Sequence, residues 1–184
     1  ELIRESKASH ELFQTLSGFK TYYMLRGDLG KAIEISGELL RLSEELKDPG
    51  LTAFAHHQMG ATLLFLGQPS GFLDHREQMD ALYDRERDHA LVYQTGLDAQ
   101  ITSLCHAGWA YWYLGYPDQA KQRSEEAVNR AKAWGNPFLL SLTLMFAAYS
   151  SMYRRDVASA RKLAEETIAV ASEHGHPLWL GGGL

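Results

Sequence analysis

The 184-residue chain has a single cysteine, Cys105, which excludes an internal disulfide framework and a four-cysteine zinc site. It has five prolines and sixteen glycines, too few for a collagenous or disordered chain. Basic charge is also scarce. With 18 Lys and Arg against 23 Asp and Glu the formal net charge is -5, which speaks against a nucleic-acid-binding stripe. No positively charged leader followed by an apolar core opens the chain. Long hydrophobic runs are missing as well. The longest uncharged stretch, Ala133 to Tyr153, is interrupted by Gly135, Asn136, Pro137, Ser141, Thr143, Ser150 and Ser151, and reads as a buried helix and not a membrane span. No stretch alternates convincingly as a strand. What remains is 45% hydrophobic and 22% charged, an ordinary globular balance in a chain long enough to bury its own core.

The few prolines and glycines are periodic. Phe65-Leu66-Gly67-Gln68-Pro69 recurs as Tyr113-Leu114-Gly115-Tyr116-Pro117 after 48 positions. Lys47-Asp48-Pro49, Gly135-Asn136-Pro137 and Gly175-His176-Pro177 form a second set, 88 and then 40 positions apart, and Gly27 precedes Gly67 by 40. Ala32, Ala120 and Ala160 follow Gly27, Gly115 and the equivalent Arg155 by five positions; Phe72 stands there in the second unit. Gly60 and Gly108 lie seven before Gly67 and Gly115. Each unit therefore reads as two helices, A and B, with the turn glycine at a helix C-terminus and the proline in the next first turn. Asp28 and Asp118 suit the start of helix B.

The predicted helices are 9–26 and 29–47, 50–66 and 69–86, 98–114 and 117–134, and 138–153 and 156–174. They group into units 9–48, 49–97, 98–136 and 137–176, within one repeat domain spanning 1–184. An eight-residue insertion falls within 84–97 and a fifth unit starts at 177–184. A pair such as Val157, Ala160, Leu163, Ala164, Thr167, Ile168, Val170 and Ala171 cannot cover its apolar face alone, so the pairs must stack. The expected fold is all-α, a right-handed superhelical solenoid of about four helix-turn-helix repeats. Glu1 and the terminal Gly181-Gly182-Gly183-Leu184 read as the ends of a piece of a longer protein.

Leu104, Gly108, Tyr111, Gly115, Ala120, Ala127 and Pro137 resemble the interlocking positions of tetratricopeptide (TPR) repeats. The period of 40 exceeds the family's usual length of about 34, Ser124 stands where an aromatic is usual, and unit four lacks both glycines. A further resemblance spans about 9–184. Leu114-Gly115-Tyr116-Pro117-Asp118-Gln119-Ala120, Tyr83-Asp84 with His89, Tyr93 and Gly96-Leu97-Asp98, and Gly175-His176-Pro177-Leu178-Trp179 are similar to a recurring bacterial type. That family joins an adenylate/guanylate cyclase-like domain, an AAA/STAND-type ATPase and a C-terminal helical-repeat region. The resemblance implies a non-catalytic segment of a cytoplasmic signalling protein, with the nucleotide chemistry upstream.

Catalytic and metal patterns are weak. Gly27-Asp28-Leu29-Gly30-Lys31-Ala32 mimics a phosphate loop, but Leu25 replaces the required glycine and Ala32 the required hydroxyl. His56 and His57 point about 100° apart on a helix. His174 and His176 in a turn read as dipole partners or at most a weak chelate. Cys105 reads as a buried thiol, and the pairs Glu44-Glu45, Glu125-Glu126 and Glu165-Glu166 lie among Arg and Lys on outer faces. The run Asp84-Arg85-Glu86-Arg87-Asp88 reads as a solvated helix end, with a polar recognition loop as its alternative. No catalytic residue, cofactor or metal is expected.

The repeat register points His57, Leu64, Cys105, Trp109, Trp112, Met145, Tyr149 and Met152 toward a concave face lined by the A helices. Aromatic and methionine side chains suit adaptable binding surfaces, and a stripe at helical spacing suits core packing equally. The expected partner is a protein, a peptide or another domain of the same protein. Neither nucleic acid nor membrane is expected. A small-ligand sensor and a self-associating, homo-oligomeric scaffold are the alternatives.

Overall fold

A computed structural model describes residues 2–88, 92 and 97–183. The helices are α1 (Leu2–Leu25), α2 (Leu29–Leu46), α3 (Pro49–Phe65), α4 (Pro69–Leu82), α5 (Ala99–Tyr113), α6 (Pro117–Trp134), α7 (Pro137–Tyr153), α8 (Val157–His174) and α9 (Pro177–Gly183). No strand occurs among the described residues. The chain is all-α, a succession of helix-turn-helix pairs.

Local chemistry sets these limits. Each of the five prolines is the first residue of its helix, where its missing N–H costs no hydrogen bond. Asp28, Asp48, Asp98, Asn136 and Asp156 cap α2, α3, α5, α7 and α8, their side-chain oxygens accepting backbone N–H bonds of the first turn. The turns within the pairs repeat one conformation. Gly27, Gly67 and Gly115 have φ of 78°, 78° and 85°, and the next residue donates back to Tyr23, Leu63 and Tyr111. Arg155 occupies the same place with φ 60°, and Asp156 donates to Ser151.

Two expected boundaries shift. Helix α1 begins at Leu2, and α4 stops at Leu82, short of 86. Tyr83 is extended, and Asp84 caps a fresh helical stretch at 85–88 by accepting from the Arg87 N–H at 2.9 Å. Asp88, the last described residue of that stretch, is buried, accepting from Arg87 and from the Asp84 N–H and standing against Gly50. Asp84 to Arg87 are exposed, as the solvated reading has it, and Asp88 alone is buried. Much of the 84–97 insertion, including His89, Tyr93 and Gly96, lies outside the described residues.

The chain forms two compact units, residues 1–90 and 91–184. In the first, α1 pairs with α2 and α3 with α4, around Phe13, Ile35, Leu39, Phe54, Phe72 and Met79. Gly60 makes room for the bulky Phe72: a Cβ there would lie 3.2 Å from the Phe72 ring. In the second, α5 pairs with α6, α7 with α8, and α9 lies against α7 and α8. Leu104, Cys105, Ala127 and Leu142 form one core cluster there, joined by Leu97, Phe146 and Trp179.

Each unit carries a buried hydroxyl pair between a B helix and the following A helix. In the first, Ser36 and Thr62 are 3.2 Å apart; in the second, the Ser124 hydroxyl donates to Ser150 at 2.9 Å. Both pairs span 26 positions, and the second is the first moved by 88. No helix among the described residues is long and apolar enough to cross a membrane.

Candidate functional site

The A-helix residues singled out by register divide by burial. His57, Leu64, Cys105, Trp109 and Met145 are buried and contribute packing. Trp112 and Tyr149 are half-buried, and Met152 is 54% exposed. Burial follows from neighbours that register alone does not supply. Met145 is covered by Gly182 of α9, whose missing Cβ leaves room for the Met145 sulfur. Burial pushes the Cys105 thiol up to about 12, against a smaller lowering by its contact with Thr143, so no reactive thiolate forms at neutral pH.

The second unit holds an aromatic cluster at the C-terminal ends of α5 and α7. The Trp109 indole stacks on Phe146 with centroids 4.5 Å apart, and its Nε1–H donates to the Phe146 carbonyl at 3.3 Å. Tyr149 and Tyr153 meet the same indole edge-on at 6.1 and 5.9 Å. Tyr113 leans on Tyr153 at 6.1 Å. Burial, then a hydrogen bond with Tyr113, pushes the Tyr153 hydroxyl up to about 12. At or just beyond the same helix ends, Tyr113 is 52%, Tyr116 52% and Met152 54% exposed, with Trp112 partly open. Tyr113, Phe146 and Tyr153 were not singled out from the sequence. The signal for two of them was present: Tyr113 and Tyr153 are 40 apart, each two residues before its turn.

In the first unit the same level of the A helices is polar. The Lys20 amine, 1% exposed, donates to Gln58 Oε1 at 3.1 Å and lies 3.5 Å from the Met24 sulfur, while Gln58 Nε2 donates to Ser17 at 2.8 Å. Burial lowers the Lys20 amine to about 7. Nearby on the α3–α4 pair, His56 Nδ1 and His75 Nδ1 are 2.9 Å apart. Desolvation, the larger cause in both, holds each imidazole below its ordinary value; the neighbouring ring adds to this at His56.

The other titratable clusters are ion pairs on outer faces. Arg123 and Arg130 bracket Glu126 at 2.8 and 2.6 Å, and Lys132 meets Glu166 at 3.1 Å. Against the opposing effect of burial, the two arginines keep the Glu126 carboxyl below the usual range, so it does not serve as a proton donor at neutral pH. His176 faces Ser141 at 3.1 Å and the Phe138 ring, with the His174 ring 6.0 Å away. Among the described residues no three His, Cys, Asp or Glu side chains converge as a metal-binding group.

No protein-family model matches the chain, and no curated protein matches it. Among solved structures, it is similar to the nearly identical TPR-like repeats of a Podosopora anserina protein described as a kinesin light chain. Two crystal structures, one of them of a single-residue variant, align with 88% of this chain and 95–96% of theirs, at 13–14% identity and a TM-score of 0.39. A superposition that loose bears on neither partner nor binding site.

Proposed function

We propose that this chain is a non-catalytic protein-interaction module that takes a peptide or partner helix on the aromatic surface of its second unit. The carrying observation is the layered cluster at the ends of α5 and α7. Trp109 and Phe146 are spent on packing, and Trp112, Tyr113, Tyr116 and Met152, at or just beyond the same helix ends, are partly or largely open. Large, rigid aromatic rings and an unbranched thioether offer contact area at low ordering cost. The module would serve as a cytoplasmic regulatory segment of a larger bacterial signalling protein with cyclase-like and ATPase domains, as the sequence resemblance implies. A phosphate-loop motif upstream in the parent sequence would support that placement.

Peptide display against the 184-residue chain tests the binding claim. Trp112→Ala should weaken the selected peptides about tenfold or more, as hot-spot truncation does, and leave the melting temperature within a few degrees. A variant that keeps full affinity, or one that unfolds, removes Trp112 from the binding surface.

A further inference from the structure

We propose that His56 and His75 form a binding site for a divalent transition-metal ion, with zinc as its natural occupant, gripped between helices α3 and α4. The two residues lie 19 positions apart and meet because Gly60 lets the helices close: a Cβ at Gly60 would stand 3.3 Å from the His75 Cβ. Both rings are half-buried and present the same nitrogen, Nδ1, to a shared point. The nitrogens are 2.9 Å apart, with ring centroids at 5.1 Å and planes inclined by 42°.

That spacing can be compared with what an ion requires. Two imidazoles on a tetrahedral ion with Zn–N of about 2.0–2.1 Å need nitrogens about 3.3 Å apart and ring centres about 5.2 Å apart. The ring centres are therefore already at chelating distance. Only the nitrogens must part, which a swivel of each ring by about 35° achieves, along a side-chain torsion that is broad and soft in histidine. A linear two-coordinate ion would instead require ring centres more than about 6 Å apart, which the helix packing at Gly60 opposes.

In the metal-free pair, one Nδ1–H donates to the other Nδ1. On binding, that proton moves through solvent to Nε2, leaving two neutral imidazoles that each offer Nδ1, with no net proton released. The exposed carboxylates of Glu44 and Asp74, whose charges act on His56 and His75 respectively, give the site a cation-attracting field. Two protein ligands fill half of a tetrahedral shell. The remaining positions fall to water or to a donor from outside the chain, which makes this an open site of modest affinity.

Zinc chloride titrated calorimetrically into the 184-residue chain is the test. The account expects one ion per chain, an affinity reduced about tenfold or more in His56→Ala and in His75→Ala, and no reduction in His176→Ala. Absence of saturable binding, binding unchanged in both alanine variants, or loss confined to His176→Ala overturns it. Should the alanine variants lose helicity without metal, imidazole nitrogen resonances of the unsubstituted chain decide. Zinc-dependent shifts at His56 and His75 Nδ1 support the site, and shifts confined to other histidines overturn it.

Discussion

At the scale of single residues, the sharpest local conflict is Lys20. Its amine faces Gln58 and Met24, and among the described residues no carboxylate pairs with it. A shift from 10.5 to about 7 means that the unfolded chain holds a proton more tightly than the fold does. Stability therefore rises with pH between about 7 and 10.5, and the full penalty is present below that window. Lys20→Met removes the charge but leaves the Gln58 oxygen unpaired. A shift of this size corresponds to about 5 kcal/mol, offset by about 1–3 kcal/mol for the orphaned oxygen. The variant should gain about 2–4 kcal/mol in denaturant unfolding at pH 6 and lose that advantage by pH 10. A variant equally destabilised at both pH values would contradict the burial of an uncompensated amine. The sequence alone does not flag Lys20, because a lysine on a helix is ordinarily solvated. Its line with Phe13, Ser17 and Met24 is the available cue.

At the scale of elements, the helices were largely legible, because their ends are written in short-range chemistry: proline at the first position, Asp or Asn before it, glycine in the turn. Arg155 shows that this legibility survives substitution. It adopts the left-handed conformation of the glycines it replaces because the flanking helices impose the same turn. The end of α4 was not legible. Leu82 to Asp88 carries no proline or glycine to mark a stop, and beyond the break Asp88 is buried against Gly50, a contact 38 positions away. The small residues act through packing between helices. A Cβ at Gly108 would fall 2.5 Å from the Ser124 hydroxyl oxygen and 3.3 Å from the Ala120 carbonyl. Gly108→Ala should therefore lose about 1–3 kcal/mol through overpacking, despite the better helix propensity of alanine. Adding Ser124→Ala removes the nearer obstacle and should restore part of the loss. If thermal melts show the double variant no better than the sum of the single changes, Gly108 and Ser124 are not coupled.

At the scale of the whole molecule, the repeat supplies chemistry unevenly. The first unit sets a buried lysine between its A helices and a histidine pair between α3 and α4, and the second sets a tyrosine, tryptophan and methionine cluster. The register places its candidates on the helices that carry that second cluster but does not give their depth. Register gives the direction of a side chain, whereas burial depends on what the next helix brings, as Gly182 does to Met145. Trp112, Tyr149 and Met152 keep partial or full exposure; His57, Leu64, Cys105, Trp109 and Met145 do not. The five methionines make this testable without substitution: Met24, Met59 and Met79 lie in the first unit, Met145 and Met152 in the second. With their methyl groups isotope-labelled, titration of a display-selected peptide reads each position separately. The account predicts the largest shift at exposed Met152, a smaller one at buried Met145 and little change at the other three. Saturable binding that moves Met24 or Met59 while Met152 stays fixed would contradict the second unit's aromatic surface as the binding site.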